Sequence, residues 1–185
     1  MTGEGDIGHA TPTSLADFGA SIGAFVGRDL TAPHLEEGYL LSDGDRPLAL
    51  LGELRWEKVV RGVAREGEWW FSRLRGAGIE VREQPGEGPV IARYRSGILP
   101  GGQLELPDGM KLRLRPPLTG ETWRVRRGRD AIAAFTDPWK PWTVRLTPTA
   151  RDVSHLPLLT LLAFAAVLVE LDVPSGGAAP VGYSG

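Results

Sequence analysis

The sequence predicts a mostly-β protein: a closed antiparallel β-barrel of about eleven to twelve strands around a C-terminal hydrophobic helix, plus a short N-terminal helix. Three observations lead there. The run Leu156 to Val169 (LPLLTLLAFAAVLV) holds fourteen residues without a charge, and Thr160 is its only hydroxyl. From Gly38 to Thr147 the chain alternates apolar and polar residues in short runs divided by turn residues. The lengths also agree. As a helix the apolar run spans roughly 21 Å, and strands of five to seven residues are about 17–23 Å long. A helix apolar on every side must be enclosed by protein or lipid, and a bilayer needs about 20 residues. Enclosure by the sheet, with no transmembrane span, is therefore the expectation.

Residues 1–35 are expected to be a flexible extension carrying a short amphipathic helix. Ser14 with Asp17 resembles a capping box, and Leu15, Phe18, Ile22, Phe25 and Val26 follow at helical spacing. Gly19, Gly23 and Gly27 recur every four residues. Asp17 and Arg28 leave too short an apolar span for a helix-pairing face in lipid, and in water each interior glycine costs about 1 kcal/mol. The helix should be marginal.

The barrel is expected over residues 36–173, with 174–185 a disordered tail. Its candidate strands are Gly38–Ser42, Pro47–Leu54, Lys58–Arg65, Glu68–Leu74, Ile79–Glu83, Val90–Arg95, Gln103–Leu106, Lys111–Arg115, Thr122–Arg126, Ala131–Phe135 and Trp142–Thr147. Asp43-Gly44, Glu66-Gly67, Pro85-Gly86, Pro100-Gly101-Gly102 and Asp108-Gly109 supply turn chemistry between them. In Lys111–Arg115 the leucines take one face and the cations the other; Trp123 and Val125 likewise oppose Arg124 and Arg126. One face is greasy and needs a filler, which the terminal helix provides. Ser154 is the expected N-cap and Pro157 belongs to the first turn. Glu170 and Asp172 at the far end oppose the helix dipole, which predicts that this end reaches water.

Composition narrows the chemistry. There are no cysteines, which removes disulfides, thiolate zinc sites, cysteine nucleophiles and palmitoylation. No basic segment followed by an apolar one marks a secretory signal, so the expected location is cytoplasmic, peripheral at the membrane if lipid is bound. The net charge of −2 hides an uneven distribution: residues 55–146 carry eighteen basic and eleven acidic side chains. The remainder carries three basic and twelve acidic ones. A basic middle suits an anionic partner, although an Arg-rich exterior also accounts for it.

No catalytic motif is present: HExxH, Walker A and GxSxG are all missing. His9, His34 and His155 lie far apart, and Asp43-Gly44-Asp45 has Leu54 where a calcium loop needs glutamate. The expectation is no enzyme, no metal and no cofactor. Two features remain. Arg93, Arg95, Lys111, Arg113, Arg115, Arg124 and Arg126 all point outward and form an anion-binding stripe if their strands are neighbours. Trp139, Lys140 and Trp142 compose a loop that suits a membrane interface or, given the burial tendency of tryptophan, a plug for the barrel end.

Residues 66–171 resemble the tubby-like barrel superfamily, which includes the phospholipid scramblases and the plant LURP-one-related proteins. The resemblance rests on GEWWFSRL, GIEVREQPGEGPVIARYRSG, GGQLELPDGMKLRLRP, ETWRVRRGRDAIAAFT and PWTVRLTP, and on the terminal LPLLTLLAFAAVLVEL. It implies a closed barrel around a hydrophobic helix, and a role at phospholipids. The chain lacks the cysteine-rich stretch and the Asp-rich calcium loop of scramblases, which argues against scrambling. No functional residue transfers by motif.

The expected function is a non-enzymatic barrel binding an anionic ligand, foremost phospholipid headgroups on a membrane surface. The alternative is a structural or protein-interaction module that meets a partner through its N-terminal helix. Nucleic acid is disfavoured, because no stacking aromatics are interleaved with the cations.

Overall fold

The computed structural model describes residues 14–54, 58–76, 78–86, 88–136 and 141–172. Among these residues thirteen strands form: β1 (Asp29–Ala32), β2 (His34–Leu35), β3 (Gly38–Asp43), β4 (Arg46–Gly52), β5 (Val59–Ala64), β6 (Gly67–Leu74) and β7 (Gly78–Arg82). They continue with β8 (Ala92–Ser96), β9 (Gly102–Glu105), β10 (Lys111–Arg115), β11 (Thr122–Arg127), β12 (Asp130–Thr136) and β13 (Trp142–Leu146). All eleven strands expected from alternation are present, each with ends within two residues of the expected ones.

From β3 to β13 every strand pairs antiparallel with the next, as short turns between alternating runs require. β1 closes the ring. It pairs with β13 from Asp29↔Arg145 to Ala32↔Trp142, and meets β3 at Thr31↔Ser42, where the two hydroxyls lie 3.2 Å apart. Twelve strands thus form a closed barrel, and the two-residue β2 adds to the free margin of β3. Closure removes the exposed strand edges that a flat sheet would leave. The barrel therefore begins at Asp29, ahead of the boundary expected at residue 36, because β1 is part of the ring.

Helix α1 (Leu156–Asp172) runs through the barrel, and every residue from Leu156 to Val167 is buried, as is Val169. It touches β4, β7, β8 and β12, strands on different sides of the ring. Inward-facing Leu48, Leu51, Phe71, Ile79, Val81, Leu104, Leu112, Leu114, Val125 and Phe135 complete the core. Phe164 anchors the packing: it stacks on Phe135 at 5.9 Å and takes Tyr39 and Trp142 edge-on at 5.1 and 5.6 Å. Such pairs add about 0.5–1.5 kcal/mol beyond area burial. No helix among the described residues is long and apolar enough to cross a membrane.

The short N-terminal helix takes the form of two 3-10 turns, Leu15–Asp17 and Ile22–Phe25, rather than one amphipathic α-helix. The Ser14 N–H donates to the Asp17 carboxylate as the capping-box pattern implies. Gly19 lies between the two turns; Phe18 is buried in a separate cluster with Leu50 and Val63, while Ile22 and Phe25 join the main core. The second turn packs against α1 at its entry end. Ser154 does not cap α1; its hydroxyl donates to the Asp108 carboxylate at 2.6 Å. That bond, with a second from the Met110 N–H, holds the Asp108 carboxyl below its ordinary range.

Candidate anion-binding face and the barrel end beside it

The predicted cations lie on three strands, β8, β10 and β11, with β9 between the first two, and register decides which of them meet. Three rows cross the outer face. One row runs Glu80, Arg93, Glu105, Lys111 from β7 to β10. Here acid alternates with base; Arg93 is half-buried and pairs with Glu105 at 3.8 Å, while Glu80 pairs with Arg82 at 2.8 Å. Arg93 therefore flanks the face as a paired member, while Lys111 is exposed and faces Glu105 in register without an ion pair among the described residues.

The next row runs Arg95, Gln103, Arg113, Arg126, and the last brings Arg115 opposite Arg124. These five arginines are exposed and, among the described residues, make no ion pair. Arg113↔Arg126 and Arg115↔Arg124 are direct cross-strand pairs of like charge, with strands ~4.8 Å apart. Such pairs destabilise an antiparallel ladder. Arg126 directs one guanidinium N–H onto the Arg129 carbonyl at 2.5 Å, which leaves its charge uncompensated. A groove of about 460 Å³ lies among Gln103, Lys111, Arg113, Arg115 and Arg126. A second depression, about 450 Å³, joins Arg95, Arg113 and Arg115 to the loop between β8 and β9.

The end where α1 leaves the barrel reaches water at Leu171 and Asp172, as expected, and its acids also make polar contacts with the barrel wall. Glu170 accepts hydrogen bonds from the Tyr94 hydroxyl at 2.5 Å, the Ser96 hydroxyl at 2.6 Å and the Gly101 N–H at 3.1 Å. Asp172 is 64% exposed, yet it holds the guanidinium of Arg73, whose side chain is only 2% exposed, at 2.6 Å. The acids that oppose the helix dipole thus find their compensation on the barrel wall. Burial raises the Tyr94 phenol far above its ordinary range, and the Glu170 carboxylate adds to the shift.

This clasp fixes the loop between β8 and β9. The Gly97 N–H donates to the Gly101 carbonyl at 2.7 Å, and Gly101 has φ +92°. A Cβ on Gly102 would fall 2.1 Å from the Arg95 carbonyl oxygen and 2.8 Å from the Tyr94 ring. Gly102→Ala is accordingly expected to cost about 1–3 kcal/mol through overpacking, read as a lowered midpoint in urea unfolding.

Of the expected interface loop, Trp139 and Lys140 lie outside the described residues. Trp142 is buried against Phe164 at the barrel end, as a plug would be. Among the described residues no group of His, Asp and Glu is arranged to hold a metal ion. Sequence reasoning missed the Glu170 clasp and the apolar loop it holds; Gly-flanked Ile98-Leu99 in GILPGG was the available signal, read only as a turn. No protein-family model, curated protein or solved structure matches the chain.

Proposed function

We propose that the chain is a non-enzymatic, tubby-like barrel protein that binds phospholipid headgroups at a membrane surface through Arg95, Arg113, Arg115, Arg124 and Arg126. The observation that carries this reading is the pairing of Arg113 with Arg126 and Arg115 with Arg124 across one ladder, with no carboxylate in ion-pair reach among the described residues. Elsewhere Arg28 pairs with Asp43, Arg61 with Glu68 and Arg145 with Asp29, while exposed Arg46, Arg65, Arg75, Arg127, Arg129 and Arg151 make no ion pair among the described residues; what sets this face apart is the direct cross-strand pairing of like charges. A bound anion relieves the like-charge repulsion, and guanidinium forks suit phosphate oxygens. The barrel threaded by a C-terminal hydrophobic helix is the arrangement the tubby-like resemblance implies, and it supports that part of the reading.

Each arginine near an anionic leaflet contributes about 1 kcal/mol, and the attraction fades over a Debye length of ~10 Å at 0.1 M salt. Co-sedimentation with phosphatidylserine or phosphoinositide vesicles should therefore be strong at roughly 50 mM salt and weak at about 200 mM. Neutral vesicles should leave the protein in the supernatant. The double variant Arg113→Glu, Arg115→Glu is expected to lose at least about tenfold in vesicle affinity. Its melting temperature should stay level or rise, because both like-charge pairs become opposite-charge pairs. Equal binding to neutral and acidic vesicles, or no binding at low salt, would reduce the arginines to ordinary surface.

A further inference from the structure

The arginine face meets the rim of the barrel at two loops, residues 97–101 between β8 and β9 and residues 116–121 between β10 and β11. Both lie at the end where α1 exits, since Glu170 accepts from Gly101 there. Their tips carry large apolar side chains that no other described residue covers. Ile98 is fully exposed, Leu99 is 78% exposed and Leu118 is 97% exposed. Scattered apolar side chains are ordinary on a surface. These are not scattered. Of the exposed large apolar residues among those described, Val59, Leu74 and Leu171 share the rim with Ile98, Leu99 and Leu118, and Leu15 lies in the first N-terminal turn, near Phe18, which packs against Leu50 and Val63.

Resting on the headgroup reading above, we propose that Ile98, Leu99 and Leu118 insert into the acyl region of the same leaflet whose headgroups the arginines hold. Charge complementarity selects the occupant. The depression behind Ile98 and Leu99 is lined by Arg95, Arg113 and Arg115, and so places cations directly beside the apolar tips. An anionic bilayer offers that order of chemistry, phosphate above hydrocarbon; a nucleic acid offers only the phosphate.

The loops are also built to present these side chains. The Gly97–Gly101 hydrogen bond and the Glu170 clasp hold the first loop closed at its base. The two loops abut: a Cβ on Gly101 would lie 3.1 Å from Pro116 Cδ. A segment already ordered loses little freedom on insertion. Glu121, exposed at the root of the second loop, marks how deep the rim goes, so that only the tips enter. Loops and arginines share strands β8 to β11, and the barrel docks tilted onto that side.

The chain has no cysteine, so single Leu99→Cys, Leu118→Cys and Leu15→Cys variants take an environment-sensitive fluorophore at one place each. With phosphatidylserine-containing vesicles at low salt, labels at 99 and 118 are expected to shift to the blue. They should also become quenchable by spin labels on the acyl chains, while the label at 15 stays in water. Ile98→Glu with Leu99→Glu is expected to weaken co-sedimentation on the order of tenfold without moving the melting temperature. If the unlabelled protein sediments with acidic vesicles but labels at 99 and 118 remain in water, insertion is wrong and headgroup binding stands. A shift at 15 equal to that at 99 also overturns the proposed orientation. If nothing sediments, the headgroup reading falls and the insertion with it.

Discussion

A chain cut before Ser154 is expected to show no cooperative thermal transition. Leu156, Leu158, Leu159, Leu161, Leu162, Phe164, Val167 and Val169 are all buried inside the barrel. At about 1.5–3 kcal/mol for each such side chain, the helix contributes more than the ~5–15 kcal/mol by which a domain is stable. Its loss also leaves the inward faces of the strands around an empty centre. Phe164→Ala tests the same packing without removing the helix. The ring meets Phe135, Tyr39 and Trp142 at once, and a loss of about 3–5 kcal/mol is expected. For a domain of this size that lowers the melting temperature by about 6–20 °C, measurable by circular dichroism. A truncated chain that stays β-rich and melts cooperatively would mean that the barrel stands without its helix.

Glu170→Ala is expected to destabilise the protein by about 3–5 kcal/mol, since two hydroxyls and an N–H lose their acceptor at once. Glu170→Gln, which keeps one acceptor oxygen, should lose less. The same site gives a pH signature. Burial, and then Glu170, disfavours the Tyr94 phenolate, so the phenol titrates higher in the folded chain than its ordinary ~10 in the unfolded one. A raised pKa stabilises the fold fully below ~pH 10 and loses that contribution as pH climbs beyond it. Tyr94→Phe should therefore lower stability at neutral pH by about 1 kcal/mol and flatten the alkaline fall. Urea midpoints of both proteins between neutral and strongly alkaline pH check this. An unchanged alkaline slope in Tyr94→Phe would show that other groups govern it.

What the sequence determined by itself was local. Period-two alternation is a property of neighbouring residues, so KLRLR and TWRVR revealed both their strands and which side chains face out. The uninterrupted apolar run identified the core helix because a side chain on any face of it would otherwise meet water. What needed contacts across the chain was legible only in the tertiary structure. β1 is four residues, DLTA, too short to show alternation, and it is a strand because β13 and β3 offer it partners on both sides. Six arginines and a lysine on β8, β10 and β11 read alike in sequence. Register alone sets Arg93 against Glu105 and Arg113 against Arg126, and so separates a neutralised pair from a repelling one. Glu170 looked like a carboxylate bound for solvent because the helix dipole is all that its own segment supplies. Its donors, Tyr94 and Ser96, are 76 and 74 residues away, and only closure of the barrel brings them to it.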